Sequence, residues 1–347
     1  MDATHHSSRK SPGAVALRVG VVLLVLLAVY LLFEIVMIAL GAVIVALLLH
    51  IGAEPWRRWG KLPLWLSLVL SGLVIAVLVG VSAYMFGARV SAELQDLVQR
   101  ISSAQEGITQ SLQNSRLGRL ALSHMGAGEI SLPGVARTII SSSASVAEAL
   151  IVTVIAGAYL AAQPDLYRRG LVALFPAALR PQADETLEHL GRGLKYWLLG
   201  QLIQMVIIGV ASGLAVWLIG LPAPFALGLI AGVTEFVPYL GPFIAAAPAL
   251  LIAFGQSPYA MAWTALAYLA IHQIEGDVIA PLVQQRMVYV PPAVMLLGIV
   301  TVGVLFGTAA IIFAAPITVV VFALVTKLYV RDQLGEETVV PGESSLD

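Results

Sequence analysis

The sequence predicts an all-α polytopic membrane protein of about 7–8 membrane segments, some of them re-entrant or broken hairpins, plus one amphipathic excursion. Three observations carry this. Of 347 residues, 59% are hydrophobic and 11% charged, whereas soluble domains carry about 25% charged residues. Apolar runs of the roughly 20 residues needed to cross a hydrocarbon core recur along the chain. In the C-terminal third those runs are broken by proline, glycine and carboxylates, which lipid does not tolerate.

Residues 1–14 are polar and read as a disordered tail. The segment 15–87 holds three spans, at 15–33, 35–50 and 62–86. Glu34 alone parts the first two, which form a tight hairpin or one broken helix. Arg9, Lys10 and Arg18 ahead of the first run resemble a signal peptide, but no small-residue cleavage site follows, so the run reads as a retained span. Between the second and third spans, Arg57, Arg58 and Lys61 beside Trp56 and Trp59 mark an interfacial loop. From 88 to 140, Val90, Leu94, Leu97, Ile101 and Ile108 recur at helical steps among charged residues. This is the amphipathic helix outside the hydrocarbon, packed on its own protein, on a neighbouring subunit or on the lipid surface.

The transport region is placed at 141–330. It begins with spans at 143–162 and 197–219, separated by a polar excursion at 164–196. Shorter apolar pieces follow, then runs at 259–274, 293–306 and 308–329, and residues 331–347 form an acidic disordered tail. Lysine and arginine concentrate at the N-terminus and in the 51–61 and 164–196 segments, which fall on one side. The positive-inside rule makes that side, and the N-terminus, cytoplasmic.

Charge and motif content exclude several function classes. A net charge of −1 without a basic stripe argues against nucleic acid as a partner. There is no cysteine, and the six histidines are scattered, so no metal site and no cofactor is expected. No HExxH, Walker loop or GxSxG motif is present, so no enzyme is expected. Ser212, between Ala211 and Gly213, reads as small-residue helix packing.

The polar groups of the C-terminal third define the candidate site. Phe225 to Val237 and Phe243 to Phe254 are both too short for a core of about 30 Å. Joined by PYLGP, they read as a re-entrant hairpin whose tip turns at Pro238, Tyr239, Gly241 and Pro242, with Glu235 beside it. A charge at the bilayer centre costs about 2.5–3.5 kcal/mol, so such a group is paired, hydrated or functional. His272, Gln273, Glu275 and Asp277 close an otherwise apolar helix, and His272 and Glu275 share one face. Gln201 and Gln204 add hydrogen-bonding groups on the 197–219 span. The segments 224–248 and 292–316 both start at proline and end in Ala-Ala-Pro, a hint of the repeats that mark transporter substrate sites.

Three stretches resemble the autoinducer-2 exporter family of bacterial permeases. One is Glu235-Phe236-Val237-Pro238-Tyr239-Leu240-Gly241-Pro242 with Pro248; another is His272 to Pro281 (HQIEGDVIAP) with Pro291-Pro292. The third is Gly303 to Pro316 with Gly307. With the order of spans, the resemblance extends over about 15–330. It implies a secondary active transporter of the bacterial inner membrane that moves a small polar solute outward; the name-giving substrate is the quorum-sensing signal autoinducer-2. Other members resemble sodium(lithium)/proton antiporters, so H+ or Na+ is the implied coupling ion. The resemblance also implies a homo-oligomer, a pentamer, with a moving hairpin domain. Asp277 stands where relatives often carry asparagine. Glu235, His272, Gln273, Glu275, Asp277, Gln201 and Gln204 are then the transport-path candidates, and Pro238, Tyr239, Gly241, Pro242, Pro281 and Gly307 the hinge candidates. A channel or a non-transporting scaffold is the reading from another class.

Overall fold

The structure, a computed structural model, describes residues 31–77, 143–279, 281, 282, 290–336 and 338, with 80, 81, 84 and 99 as single positions. The expected N-terminal tail, first span and 88–140 excursion lie almost wholly outside these residues, as does most of the C-terminal tail. All secondary structure among the described residues is helical.

Helix α1 is Phe33–Arg58 and α2 is Leu64–Val77. Glu34 lies inside the first turn of α1, and Arg57 and Arg58 lie in its last turn. Each charge opposes the helix dipole at its own end. The helix extends through Pro55, so the loop to α2 is shorter than the sequence suggested. Helix α3, Ser143–Ala162, packs along α1. A bend of 91° leads into α4, Pro164–Ala173. Arg168 of α4 grips Asp184 with both arms of its guanidinium, Nε to Oδ1 at 2.6 Å and Nη2 to Oδ2 at 2.8 Å.

Helix α5 is Arg180–Ile219, 40 residues and about 60 Å long. It unites the end of the expected polar excursion with the span that follows it. The cause is one buried stripe at three- and four-residue steps: Thr186, His189, Gly193, Leu194, Trp197, Leu198 and Gln201. Gly220, in the left-handed region at φ +81, terminates the helix.

Beyond it come α6, Pro224–Thr234; α7, Gly241–Gln256; and α8, Pro258–Ile274. Ser257 caps α8, its hydroxyl accepting from the Ala260 amide at 3.0 Å. Helix α9, Pro292–Phe306, passes through Gly307 and the 3-10 turn Thr308–Phe313 into α10, Ala314–Leu324. A π-helical turn, Val325–Arg331, carries the buried Lys327, which bonds Glu185 of α5 at 2.7 Å. Segments 224–248 and 292–316 are thus both helices that start on proline, break, and resume.

Two apolar cores form on α5, beside a smaller one of Ala46, Ala53, Leu68 and Ala161 where α1, α2 and α3 meet. One joins the C-terminal half of α5 to α6, α7 and α8, through Ile208, Val216, Leu227, Ala249 and Tyr268. The other joins the middle of α5 to α1, α9 and α10, through Leu194, Leu198, Ile44, Ile299 and Val319. Within the first core, α5 and α6 meet backbone to backbone. Gly209 and Gly213 face Gly228 and Gly232, and a β-carbon on Gly228 would sit 2.8 Å from the Gly209 carbonyl oxygen.

Among the described residues, three helices are long and apolar enough to cross a membrane: Phe33–Arg58, Ala177–Ile219 and Thr308–Arg331. The pair α3–α4, bent by 91°, makes a fourth if it counts as one span rather than a re-entrant loop, and Leu64–Val77, Pro224–Thr234, Gly241–Gln256 and Pro292–Phe306 are shorter apolar helices. Large apolar side chains such as Leu150, Trp217, Leu218 and Val304 stand exposed around them. A surface of that kind is a lipid-facing surface.

Candidate functional site

The site is built on the break between α6 and α7. After Thr234 the chain turns through Glu235–Leu240 rather than continuing as helix. The break leaves carbonyls at the end of α6 without helical partners. One is answered from outside: the Gln201 side-chain amide of α5 donates to the Glu235 backbone oxygen at 2.6 Å, in a buried position. Within the turn, the Gly241 amide donates to Val237 and the Val237 amide to Thr234, at 2.9 and 3.0 Å. Tyr239 is held at φ +66, a left-handed conformation uncommon outside glycine.

Gly241 closes the turn. A β-carbon there would lie 2.6 Å from the Thr234 carbonyl oxygen and 2.8 Å from the Glu235 α-carbon. Backbone cannot yield to it without displacing Glu235. Gly241→Ala is therefore expected to lower stability by about 2 kcal/mol, read as a thermal midpoint in detergent, and to lower solute flux further than that loss explains.

The turn packs Glu235 inside the protein, its side chain 1% exposed, and its Oε2 has no hydrogen-bond partner. Facing it is the last turn of α8. His272 Nδ1 and Glu275 Oε2 are 2.9 Å apart, the i,i+3 pairing that their spacing allows. The chain then widens into a π-helical turn, Glu275–Ile279, a distortion frequent at functional sites. Ligand atoms of Glu235, His272 and Glu275 all lie within 4.8 Å of one another, a spacing on which a cation could be held.

These groups line one cavity of ≈ 780 Å³. Gln201, Gln204, Glu235, His272 and Glu275 are in its wall, together with Pro238, Tyr239, Pro242 and Pro281. Gln273 and Asp277 are not: they hydrogen-bond each other and stand exposed on the other side of the helix end. Gly241 and Gly307 also lie outside the wall; Gly307, at φ +88, marks the break between α9 and the 3-10 turn.

Sequence reasoning missed the aromatic part of the wall, Trp197, Phe243 and Tyr268. The signal was available for Tyr268, which precedes His272 by four residues and Glu275 by seven, and so shares their face. Three buried polar atoms in this wall lack partners: Glu235 Oε2, Tyr268 Oη and His272 Nε2. A cavity with unanswered donors and acceptors is suited to a polar occupant.

The sequence profile of the AI-2E family transporters matches residues 19–329. The Bacillus subtilis (strain 168) protein YrrI, whose name describes a candidate transport protein, is 35% identical over 162 residues, 47% of this chain and 46% of that protein. The similarly named YueF of the same organism is 29% identical over 178 residues, 50% of this chain and 48% of its own length. The match thus spans about half the length of each of these two relatives. A Thermotoga maritima protein, also named as a candidate transport protein, is 27% identical over 263 residues, 74% of this chain and 79% of that one. With a profile match running through nearly every described helix and both motifs of the cavity, the chain belongs to the AI-2E family of membrane transporters.

Proposed function

We propose that this protein is a secondary active permease that carries a small polar solute out of the cell, driven by an ion gradient. The observation that supports it best is the cavity in which both motifs converge and three buried polar atoms stand without partners. Glu235, Glu275 and His272 form its polar end, where the coupling ion and the solute's polar groups bind. The turn Glu235–Leu240 is the moving tip, and Pro238, Tyr239, Gly241, Pro242 and Pro281 shape it. Gln273 and Asp277, bonded to each other outside the cavity, hold the helix end. Autoinducer-2 is the first solute to test, because the family is named for its export. The protein sits in the bacterial inner membrane with its N-terminus in the cytoplasm and assembles as a homo-oligomer, a pentamer.

A second reading, sodium(lithium)/proton antiport on the same fold, is favoured by the cation-sized spacing of the Glu235, His272 and Glu275 ligand atoms. The two are separated in proteoliposomes by a transport panel of autoinducer-2, sodium, lithium and protons. Gradient-dependent accumulation of autoinducer-2 is the expected result. Exchange of sodium or lithium for protons with no organic flux would establish the second reading instead. Flux that never exceeds the equilibrium distribution would indicate a channel, and flux at the level of empty vesicles a scaffold.

A further inference from the structure

We infer that a basic cavity between the end of α1 and α5, apart from the one described above, holds the phosphate head of an anionic phospholipid. Its volume is ≈ 520 Å³. Glu54, Arg57, Arg58, Lys61 and Leu62, at the end of α1 and in the loop after it, face Lys195 of α5 across it. Both stretches of chain, 50–62 and 180–219, are described without a gap.

Charge is the first ground. Four cations meet one carboxylate among the described residues of this wall. Glu54 uses one oxygen for each of two of them, Oε1 for Arg58 and Oε2 for Lys195, both at 2.8 Å. That contact draws Lys195 against α1 and makes one wall of two segments distant in sequence. Arg57 and Lys61 have no carboxylate partner among the described residues. Cations elsewhere along the polar half of α5 are matched: Arg168 meets Asp184 and Glu188, and Lys327 meets Glu185 and Asp332. A surplus of guanidinium and ammonium donors around one cavity suits phosphate, whose oxygens accept from several donors at once. The backbone also brings Lys61 round. It stands at φ +49, uncommon outside glycine, directly after Gly60, where a β-carbon would lie 2.7 Å from the Trp56 carbonyl oxygen. Topology alone asks only for basic residues in a loop, not for a tight turn that places one of them in a cavity wall.

The surroundings decide between a lipid and a soluble phosphate. Trp56, Trp59 and Trp65 are exposed in the same stretch of chain, and exposed tryptophans belong at the headgroup level of a bilayer. Beyond Leu62, an apolar stripe continues along one face of α2 through the exposed Trp65, Val69 and Leu73, four residues apart. Acyl chains can lie along that stripe while the phosphate stays among the cations. Basic pockets between membrane helices bind anionic lipid heads in this way. The volume also fits a whole head better than a single inorganic ion.

The test uses the purified full chain in detergent, with bound lipid read by native mass spectrometry. The probes are phosphatidylglycerol and phosphatidylcholine with identical acyl chains, which share a phosphate and differ in net charge, and glycerol 3-phosphate, a head without chains. Phosphatidylglycerol should bind about tenfold more tightly than phosphatidylcholine, and glycerol 3-phosphate should not displace it. Arg57→Gln with Lys61→Gln should abolish the preference. Arg169→Gln with Arg180→Gln removes the same charge from exposed residues outside the cavity and should leave the preference intact. Equal binding of the two lipids by the unaltered protein would overturn the inference. So would a preference that persists without Arg57 and Lys61, or one lost equally in both double variants. Displacement by glycerol 3-phosphate would assign the cavity to a soluble phosphate and overturn the lipid. Flux enters none of these measurements, so their outcome is independent of the permease reading.

Discussion

Replacing Glu235 by glutamine is expected to bring gradient-driven flux in proteoliposomes down to the level of empty vesicles, with the protein still folded. Two features of the turn separate the transport role from the structural one. The hydrogen bond that secures the turn runs from Gln201 to the Glu235 backbone oxygen, so it survives the substitution. Glu235 Oε2 has no hydrogen-bond partner, so an amide group there breaks no bond at that atom. Glutamine keeps the volume and the buried packing but cannot release or take up a proton, so coupling through this carboxyl is lost while the fold is kept. The thermal midpoint in detergent should accordingly stay level. Unchanged flux at normal coupling would show that Glu235 has no part in transport. A large fall in thermal midpoint would show that the carboxylate holds the fold, which the geometry does not provide for.

The second large effect is expected at Gly228. Leucine there should destabilise the protein by about 3 kcal/mol, at the upper end for overpacking. Crowded side chains relieve strain by changing rotamer, but the atoms met here are backbone. They are the Gly209 carbonyl oxygen at 2.8 Å and the Gly213 α-carbon at 2.9 Å. Helices α5 and α6 would have to separate, and with them the glutamine clamp on the turn. A fall in thermal midpoint with loss of flux is the expected result. Gly191→Ala is the control: it lies in the same long helix, and its added methyl meets nothing within 4 Å. There alanine should be neutral or stabilising by about 0.5–1 kcal/mol. If Gly228→Leu behaved like Gly191→Ala, the close approach of α5 and α6 would be disproved.

The sequence announces some of this and conceals the rest for physical reasons. The break at Glu235–Leu240 is legible because prolines and glycines in an apolar run leave the backbone no helical alternative. The pairing of His272 with Glu275 is legible because helical spacing dictates it. Convergence of the two motifs on one cavity is not legible, since it depends on how α8 packs against α5. The unity of α5 was hidden by composition: its first half is polar and its second apolar, which reads as a loop followed by a span. Periodicity would have found it, because the buried stripe from Thr186 to Gln201 ignores the change in polarity. The facing glycines also have a signature, Gly209-x-x-x-Gly213 and Gly228-x-x-x-Gly232. Sequence alone gives no indication that the two motifs face each other.

The long helix α5 has one more consequence. Its Leu194–Leu198 stretch is rooted in one core and its Ile208–Val216 stretch in the other. Between and beside them, Trp197, Gly200, Gln201 and Gln204 form the cavity wall. The binding pocket therefore sits on the joint between the two halves of the protein. Any swing of one half against the other must flex the pocket, and any occupant that fills the pocket splints the joint. For the permease proposed above, loading and movement would then be two aspects of a single deformation, with no separate relay to connect them.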